Sequence, residues 1–284
     1  MTAHVLEAHG LRAGYGAVTI VDGVDLALPP GKISVIVGAN ASGKSTLLKT
    51  LARLITPQAG SVALDGAAIG EVPTKQLART LGLLPQTPVA PEGIAVADLV
   101  SRGRHPHQKL FRSWTAEDEQ AVARALAETG TTELADAPVD ELSGGQRQRV
   151  WIAMALAQET EVLLLDEPTT YLDLAHQVEV LDLLTDLNRE RGTTIAMVLH
   201  DINLAARYAD HLFAMRDGRL VAAGAPGEVV TAELIRDVFG LDALVIPDPV
   251  SATPLILPRG RHHVLEGDAA ATGSATATPQ GATA

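Results

Sequence analysis

The 284-residue chain contains no cysteine. Disulfides, iron–sulfur clusters and thiol catalysis are therefore excluded, which fits a reducing compartment. It also lacks any apolar run near the roughly 18 residues that a membrane-spanning helix needs. Short runs such as VLLL at 162–165 have the length of buried strands. The opening residues, MTAHVLEAHGLRAGYG, lack a basic region followed by an apolar stretch, so no signal peptide is expected. If the protein works at a membrane, another chain must span it. Positive charge is scarce as well: 22 basic residues stand against 34 acidic ones, a formal charge of −12. That balance argues against a nucleic-acid partner held by broad electrostatic attraction. What the chain does have is 46% apolar content, enough for the core of one large domain, or of a domain with a subdomain.

The first 30 residues read as extended segments broken by turns, and the alternation in VDLAL suits a half-exposed antiparallel strand. KISVIVG predicts a buried strand ending at Gly38, followed by a helix over 44–54. SVALDG and TLGLLPQ read as two further strands. Strand signals then vanish until 142, and helical patterns appear near 95–102 and 115–129. Helix 144–158, strand 162–166, helix 173–191, strand 194–199 and helix 201–207 follow in the βα rhythm of a covered parallel sheet. A hairpin turning at Asp217–Gly218, a short helix in TAELIRDVFG and a terminal strand pair complete the pattern. We expect one domain over 1–265, with a helical subdomain at about 87–160 inside it. The low-complexity tail 266–284 is expected to be disordered and is given no function.

GANASGKST at 38–46 fits G-x-x-x-x-G-K-[ST] between an apolar strand and a helix. In such a loop, backbone N–H groups over Gly38, Ala39, Asn40, Ala41, Ser42 and Gly43 curl around an anion. Lys44 adds a point charge for the β- and γ-phosphates, Ser45 a hydroxyl for Mg²⁺, and Thr46 lies in the helix whose positive end faces the phosphates. Ala41 stands where glycine is common, so a negative φ is expected there. VLLLDEP at 162–168 ends a buried strand in two acids. Strand alternation would send them to different sides, Asp166 to hold Mg²⁺ through water and Glu167 to polarise the attacking water. His200 follows the next buried strand and should reach the same sheet edge, either to contact the γ-phosphate or in a structural role.

LSGGQ at 142–146 poses a second anion cradle. Ser143 is an ordinary helix N-cap, but two glycines at a helix start need a reason, such as close approach of the backbone to a ligand. In this order and spacing, GANASGKST, LSGGQ and VLLLDEP resemble the nucleotide-binding subunit of an ABC transporter, over about residues 5–245. The resemblance implies an α/β P-loop NTPase of ABC type. Its core sheet is mostly parallel, with an antiparallel N-terminal β region and an inserted helical subdomain. It implies ATP and Mg²⁺ as ligands. It also implies a head-to-tail dimer in which Ser143, Gly144, Gly145 and Gln146 of one copy close on the other copy's ATP. A homodimer is the simplest expectation and a heterodimer is possible. It further assigns Tyr15 to adenine stacking, Gln86 to sensing Mg²⁺ and the attacking water, His200 to the catalytic switch, and Thr170–Asp173 to a loop that communicates across the dimer. TYLD departs from the commoner SALD in its bulky Tyr171.

APEGIAVADLVSRGRHPHQ at 90–108 and TTYLDLAHQVEVLDLL at 169–184 resemble the importers of ferric siderophores, with cobalamin and haem importers as relatives. The resemblance implies a peripheral subunit on the cytoplasmic face of the membrane, bound to permease subunits. A substrate-binding protein would be reached only indirectly through the permease. Segment 87–115 then reads as the surface that receives a permease helix, with Arg102, Arg104 and Lys109 meeting its charges. His105 and His107 around a proline make a poor metal site alone. A soluble ABC ATPase would usually carry a coiled-coil insertion or two motif sets, a pure binding module would lack Lys44 or Glu167, and an exporter would usually carry a fused membrane domain.

Overall fold

The computed structural model describes residues 4–108, 114–170, 172–260 and 262. Lys109, Tyr171 and the tail 266–284 lie outside the described residues. In chain order the elements begin with β1 (Leu6–Tyr15), β2 (Val18–Ala27), β3 (Ile33–Gly38), α1 (Lys44–Leu51), β4 (Ala59–Leu64), β5 (Ala67–Ala68), α2 (Thr74–Thr80) and β6 (Leu81–Leu84). A helical stretch follows: α3 (Val96–Ser101), α4 (Ala116–Glu128) and α5 (Gly144–Ala157). Then come β7 (Val162–Asp166), α6 (Leu174–Arg191), β8 (Thr194–Val198), α7 (Ile202–Tyr208), β9 (His211–Arg216) and β10 (Arg219–Gly224). The chain closes with α8 (Pro226–Val229), α9 (Ala232–Phe239) and the pair β11 (Ala243–Pro247) and β12 (Pro254–Pro258).

Two sheets form the body. A four-stranded antiparallel sheet runs β2-β1-β4-β5, and a six-stranded sheet runs β10-β9-β3-β8-β7-β6. In the larger sheet every neighbouring pair is parallel except β9–β10. β3, β7 and β8 are buried at every position, as strands covered on both faces must be. Their alternation divides the core. Val35, Val37, Leu163, Leu165, Ile195 and Met197 face one apolar cluster with α5 and α6. Ile36, Leu164, Ala196 and Val198 face a second, shared with α1 and the N-terminal sheet. Because the pairs are parallel and in register, Gly38, Asp166 and Val198 all end at one edge.

The helical stretch is held by a buried cation. A turn at Arg102–Arg104 presses onto α5 so closely that a methyl group on Gly103 would lie 2.2 Å from the Met154 carbonyl. The next side chain, Arg104, is thereby aimed inward and is only 2% exposed. It donates to Asp118 (3.0 Å), Glu159 (2.7 Å) and the Ala157 carbonyl at the C-terminal, negative end of α5 (2.8 Å). Burial pushes the Asp118 carboxyl up, but hydrogen bonds from Thr115 and Arg104 outweigh it and hold the group below its ordinary value. This corrects the expectation that Arg104 meets a permease. Arg104 is buried and committed to its own network, and of the two arginines only Arg102 is exposed.

Arg104→Ala is expected to lower the unfolding free energy by about 3 kcal/mol, because it strands a buried carboxylate. Arg102→Ala should change it by under about 0.5 kcal/mol. Equal urea midpoints for the two variants would contradict the buried network.

Candidate functional site

The loop between β3 and α1 is built for an anion. Gly43 sits at the start of α1 with φ 98° and no side chain caps the helix, so its first N–H groups face outward unclaimed by a cap. Lys44 is buried and its ammonium donates to the carbonyls of Gly38 and Ala39, both at 2.9 Å. Burial pushes that ammonium below its ordinary pKa, while the charges of Glu167 and Asp166 pull it back. Gly38 is required by close packing: a methyl group there would lie 2.3 Å from the Met215 carbonyl of β9.

Ala41 has φ +63°, not the negative φ expected. The cause is a tight turn in which the Ser42 N–H donates to the Ala39 carbonyl at 3.2 Å. Asn40 and Ala41 are its central residues, and only the second has positive φ. That is the demand of a type II turn at its third position. The loop's path sets the conformation and alanine accepts the strain.

The two acids at the end of β7 diverge, but not through strand alternation. Asp166 is the last strand residue, whereas Glu167 lies beyond the strand with φ +57°. This left-handed turn swings its carboxylate away from that of Asp166. Asp166 is 1% exposed. One of its oxygens accepts from Ser45 Oγ at 2.7 Å; the other is buried without a hydrogen-bond partner, 3.7 Å from the Lys49 ammonium. Burial pushes this carboxyl above its ordinary pKa, against the Ser45 hydrogen bond and the Lys49 charge. An unsatisfied carboxylate oxygen beside a serine hydroxyl is a hard-oxygen donor set of the kind Mg²⁺ takes.

Glu167 is held by three loops at once. His200 Nε2 lies 2.6 Å from one carboxylate oxygen, while Gln86 Nε2 (2.6 Å) and Thr170 Oγ1 (3.0 Å) donate to the other. A cavity of about 570 Å³ is lined by Tyr15, Ile20, the loop from Asn40 to Thr46, Gln86, Glu167, Thr170 and His200. Tyr15 is exposed at its margin. The contact of Thr170 with Glu167 was not foreseen; the signal was a hydroxyl three residues after the acid, across Pro168. A larger cavity, about 740 Å³, opens near the N-terminal ends of β7 and β8 and includes Arg124 and Leu187. It carries none of the phosphate-binding motifs, so chemistry and not size identifies the site.

The second cradle stands apart. Ser143 and Gln146 cap α5 reciprocally: the Gln146 N–H donates to Ser143 Oγ (3.3 Å) and the Ser143 N–H to Gln146 Oε1 (3.0 Å). Neither they, Gly144 and Gly145, nor Asp173 line the cavity at the P-loop. The chain thus brings together Tyr15, the P-loop, Gln86, Asp166, Glu167 and His200, and leaves the LSGGQ segment and Asp173 outside that group.

A P-loop at the C-terminal edge of a parallel sheet, with an acid pair at the end of a neighbouring strand, defines a nucleotide-hydrolysing cassette. The family model described as ABC transporter matches residues 21–170. The ferric enterobactin transport ATP-binding protein FepC of Escherichia coli (strain K12) is 54% identical over 92% of this chain and 97% of its own length. The achromobactin transport ATP-binding protein CbrD of Dickeya dadantii (strain 3937) is 56% identical over 92% and 96%. The hemin import ATP-binding protein HmuV of Gloeobacter violaceus is 40% identical over 92% and 97%. Among solved structures, the dimeric bacterial ABC transporter cassette MJ0796 superposes with a TM-score of 0.69 at 27% identity, covering 78% of this chain and 98% of that one. The chain belongs to the ABC transporter ATP-binding family, and it is an ATPase of that family.

Ala41→Gly should raise the unfolding free energy by about 0.5–1 kcal/mol, the left-handed strain relieved less the entropy that glycine adds to the unfolded chain. A lower urea midpoint would mean that the loop does not hold positive φ in solution.

Proposed function

We propose that this protein is the ATP-hydrolysing subunit that powers import of ferric siderophores through a separate membrane permease. The observation that carries the catalytic half is Glu167, fixed by Gln86, Thr170 and His200 at the wall of the P-loop cavity. The substrate half rests on the 54% and 56% identical relatives, whose names specify ferric enterobactin and achromobactin transport. The hemin importer stands further off at 40%. No helix among the described residues is long and apolar enough to cross a membrane; from the relatives named as transport ATP-binding proteins, we assign the chain to the cytoplasmic face as a peripheral subunit.

In this reading Tyr15 stacks on adenine, the P-loop amides and Lys44 hold the β- and γ-phosphates, and Ser45 and Asp166 hold Mg²⁺, with Gln86 nearby. Bound Mg²⁺ supplies charge neutralisation on the phosphate oxygens. Lys44 gives up its bonds to Gly38 and Ala39 in exchange for phosphate oxygens of formal negative charge, a stronger class of acceptor. Glu167 orients and polarises the attacking water. His200 supports Glu167 and faces the γ-phosphate. Two copies pack head to tail, so that Ser143–Gln146 and Asp173 of one complete the site of the other. A homodimer is the simplest assembly. Segment 87–115 receives the permease; Val89, Arg102 and Trp114 are exposed among its described residues.

Cells deleted for the gene should lose uptake of radioiron supplied on siderophores. The wild-type gene should restore it and Glu167→Gln should not, with ATP turnover of that variant down about 10²–10⁴-fold. Loss of haem-iron or cobalamin uptake with siderophore uptake intact would keep the ATPase and overturn the substrate.

A further inference from the structure

Gly145 was expected to be glycine because a ligand approaches its backbone. The structure supplies another neighbour. A methyl group on Gly145 would lie 3.3–3.6 Å from three ring atoms of His176, on the first turn of α6. The same ring donates from Nδ1 to Asp173 Oδ1 at 2.7 Å, and the backbone N–H of His176 donates to that same oxygen at 3.0 Å. His176 therefore stands between the loop that ends in Asp173 and the start of the LSGGQ helix. Two further contacts join the same elements: Gln148 Nε2 donates to the Pro168 carbonyl at 2.8 Å, and Arg149 pairs with Glu179 at 3.4 Å. Pro168 directly follows Glu167, so the path from the LSGGQ helix runs back to this chain's own acid.

We propose that His176 is a positioning residue that couples the two nucleotide sites of the dimer. It does so by locking the Asp173 loop to the LSGGQ helix start within one chain. The inference rests on the proposed reading that LSGGQ serves the partner's ATP while Glu167 serves the chain's own. The ring touches no nucleotide in this scheme. It is the spacer that fixes how far the LSGGQ backbone stands from the Asp173 loop. A displacement at Glu167 and Pro168 is passed through Asp173 and the ring to Gly145, and so to the other site. The donor at Nδ1 sets the spacing, and asparagine can place an amide N–H at nearly the same point. Alanine cannot.

The test is steady-state ATP turnover of the purified full-length chain against ATP concentration, for wild type, His176→Ala and His176→Asn. Thermal midpoints and binding of a fluorescent ATP analogue are measured alongside. For His176→Ala we expect kcat down about tenfold, within the usual range of site-to-site coupling. Its Hill coefficient should fall towards one, with analogue affinity and thermal midpoint unchanged. His176→Asn should recover kcat and cooperativity. If His176→Ala keeps the wild-type kcat and Hill coefficient, the coupling role is wrong. If analogue affinity and thermal midpoint fall together with kcat, or if asparagine fails to rescue, His176 is only structural. Wild type that turns over ATP without cooperativity also overturns the coupling. Wild type that turns over no ATP would instead sink the proposed function, so the two failures are told apart in one assay.

Discussion

Ser45 donates to Asp166 across 2.7 Å and 121 positions of sequence, and the geometry of the site hangs on that join. Ser45 belongs to the helix that the P-loop opens; Asp166 is the last residue of β7. α1 packs directly against β7, and β8, which pairs in parallel with both β3 and β7, sets their relative placement. A slip of one residue in either pairing would reverse which side chains face each core cluster and would part the serine from the acid. Register is therefore guarded by apolar burial on both faces of three strands. The hydrophobic core does the positioning that the chemistry needs, without any of its residues touching the site.

Burial also sets the character of the charged groups. Lys44 is 5% exposed and Asp166 1%. Water stabilises neither, and the pKa of each moves toward its neutral form. Such groups are costly alone and favourable beside an opposite charge. A polyphosphate and, in the proposed reading, a divalent cation offer those charges, one to each group. The energy of ligand binding at this edge is in part the relief of a strain that folding imposed.

How much of this was legible in the sequence follows from the range of each interaction. The P-loop, the acid pair and the helix and strand order are local patterns, and the glycines, the lysine and the apolar alternation encode them within ten or so residues. The family resemblance carried Tyr15, Gln86 and the LSGGQ segment, which local pattern alone left open. Other features depend on contacts between distant segments. The inward aim of Arg104 follows from how Gly103 meets α5, and the φ of Ala41 from the path of the loop. The end of β7 at Asp166 was legible, but the left-handed turn at Glu167 was not, because nothing in a glutamate's identity marks a positive φ. Thr170 carries only a weak signal, its spacing of three from Glu167, and His176 none; a histidine near an acid pair looks like a surface residue until the loops are folded together.

The two helix starts that looked alike in sequence differ in their state of satisfaction. α1 has no side-chain cap, and its opening N–H groups lie beside a buried lysine. α5 is capped twice over by Ser143 and Gln146, whose bonds are exposed and 3.0–3.3 Å long. An exposed cap of this kind is worth about 1 kcal/mol. It is cheap to exchange, whereas the uncapped start of α1 has nothing to exchange. The first cradle is thus organised to hold an anion within its own chain. The second is stable by itself and can trade its cap for an acceptor brought from outside. That asymmetry suits the proposed shared site, in which one cradle stays closed on itself until another surface offers a better partner.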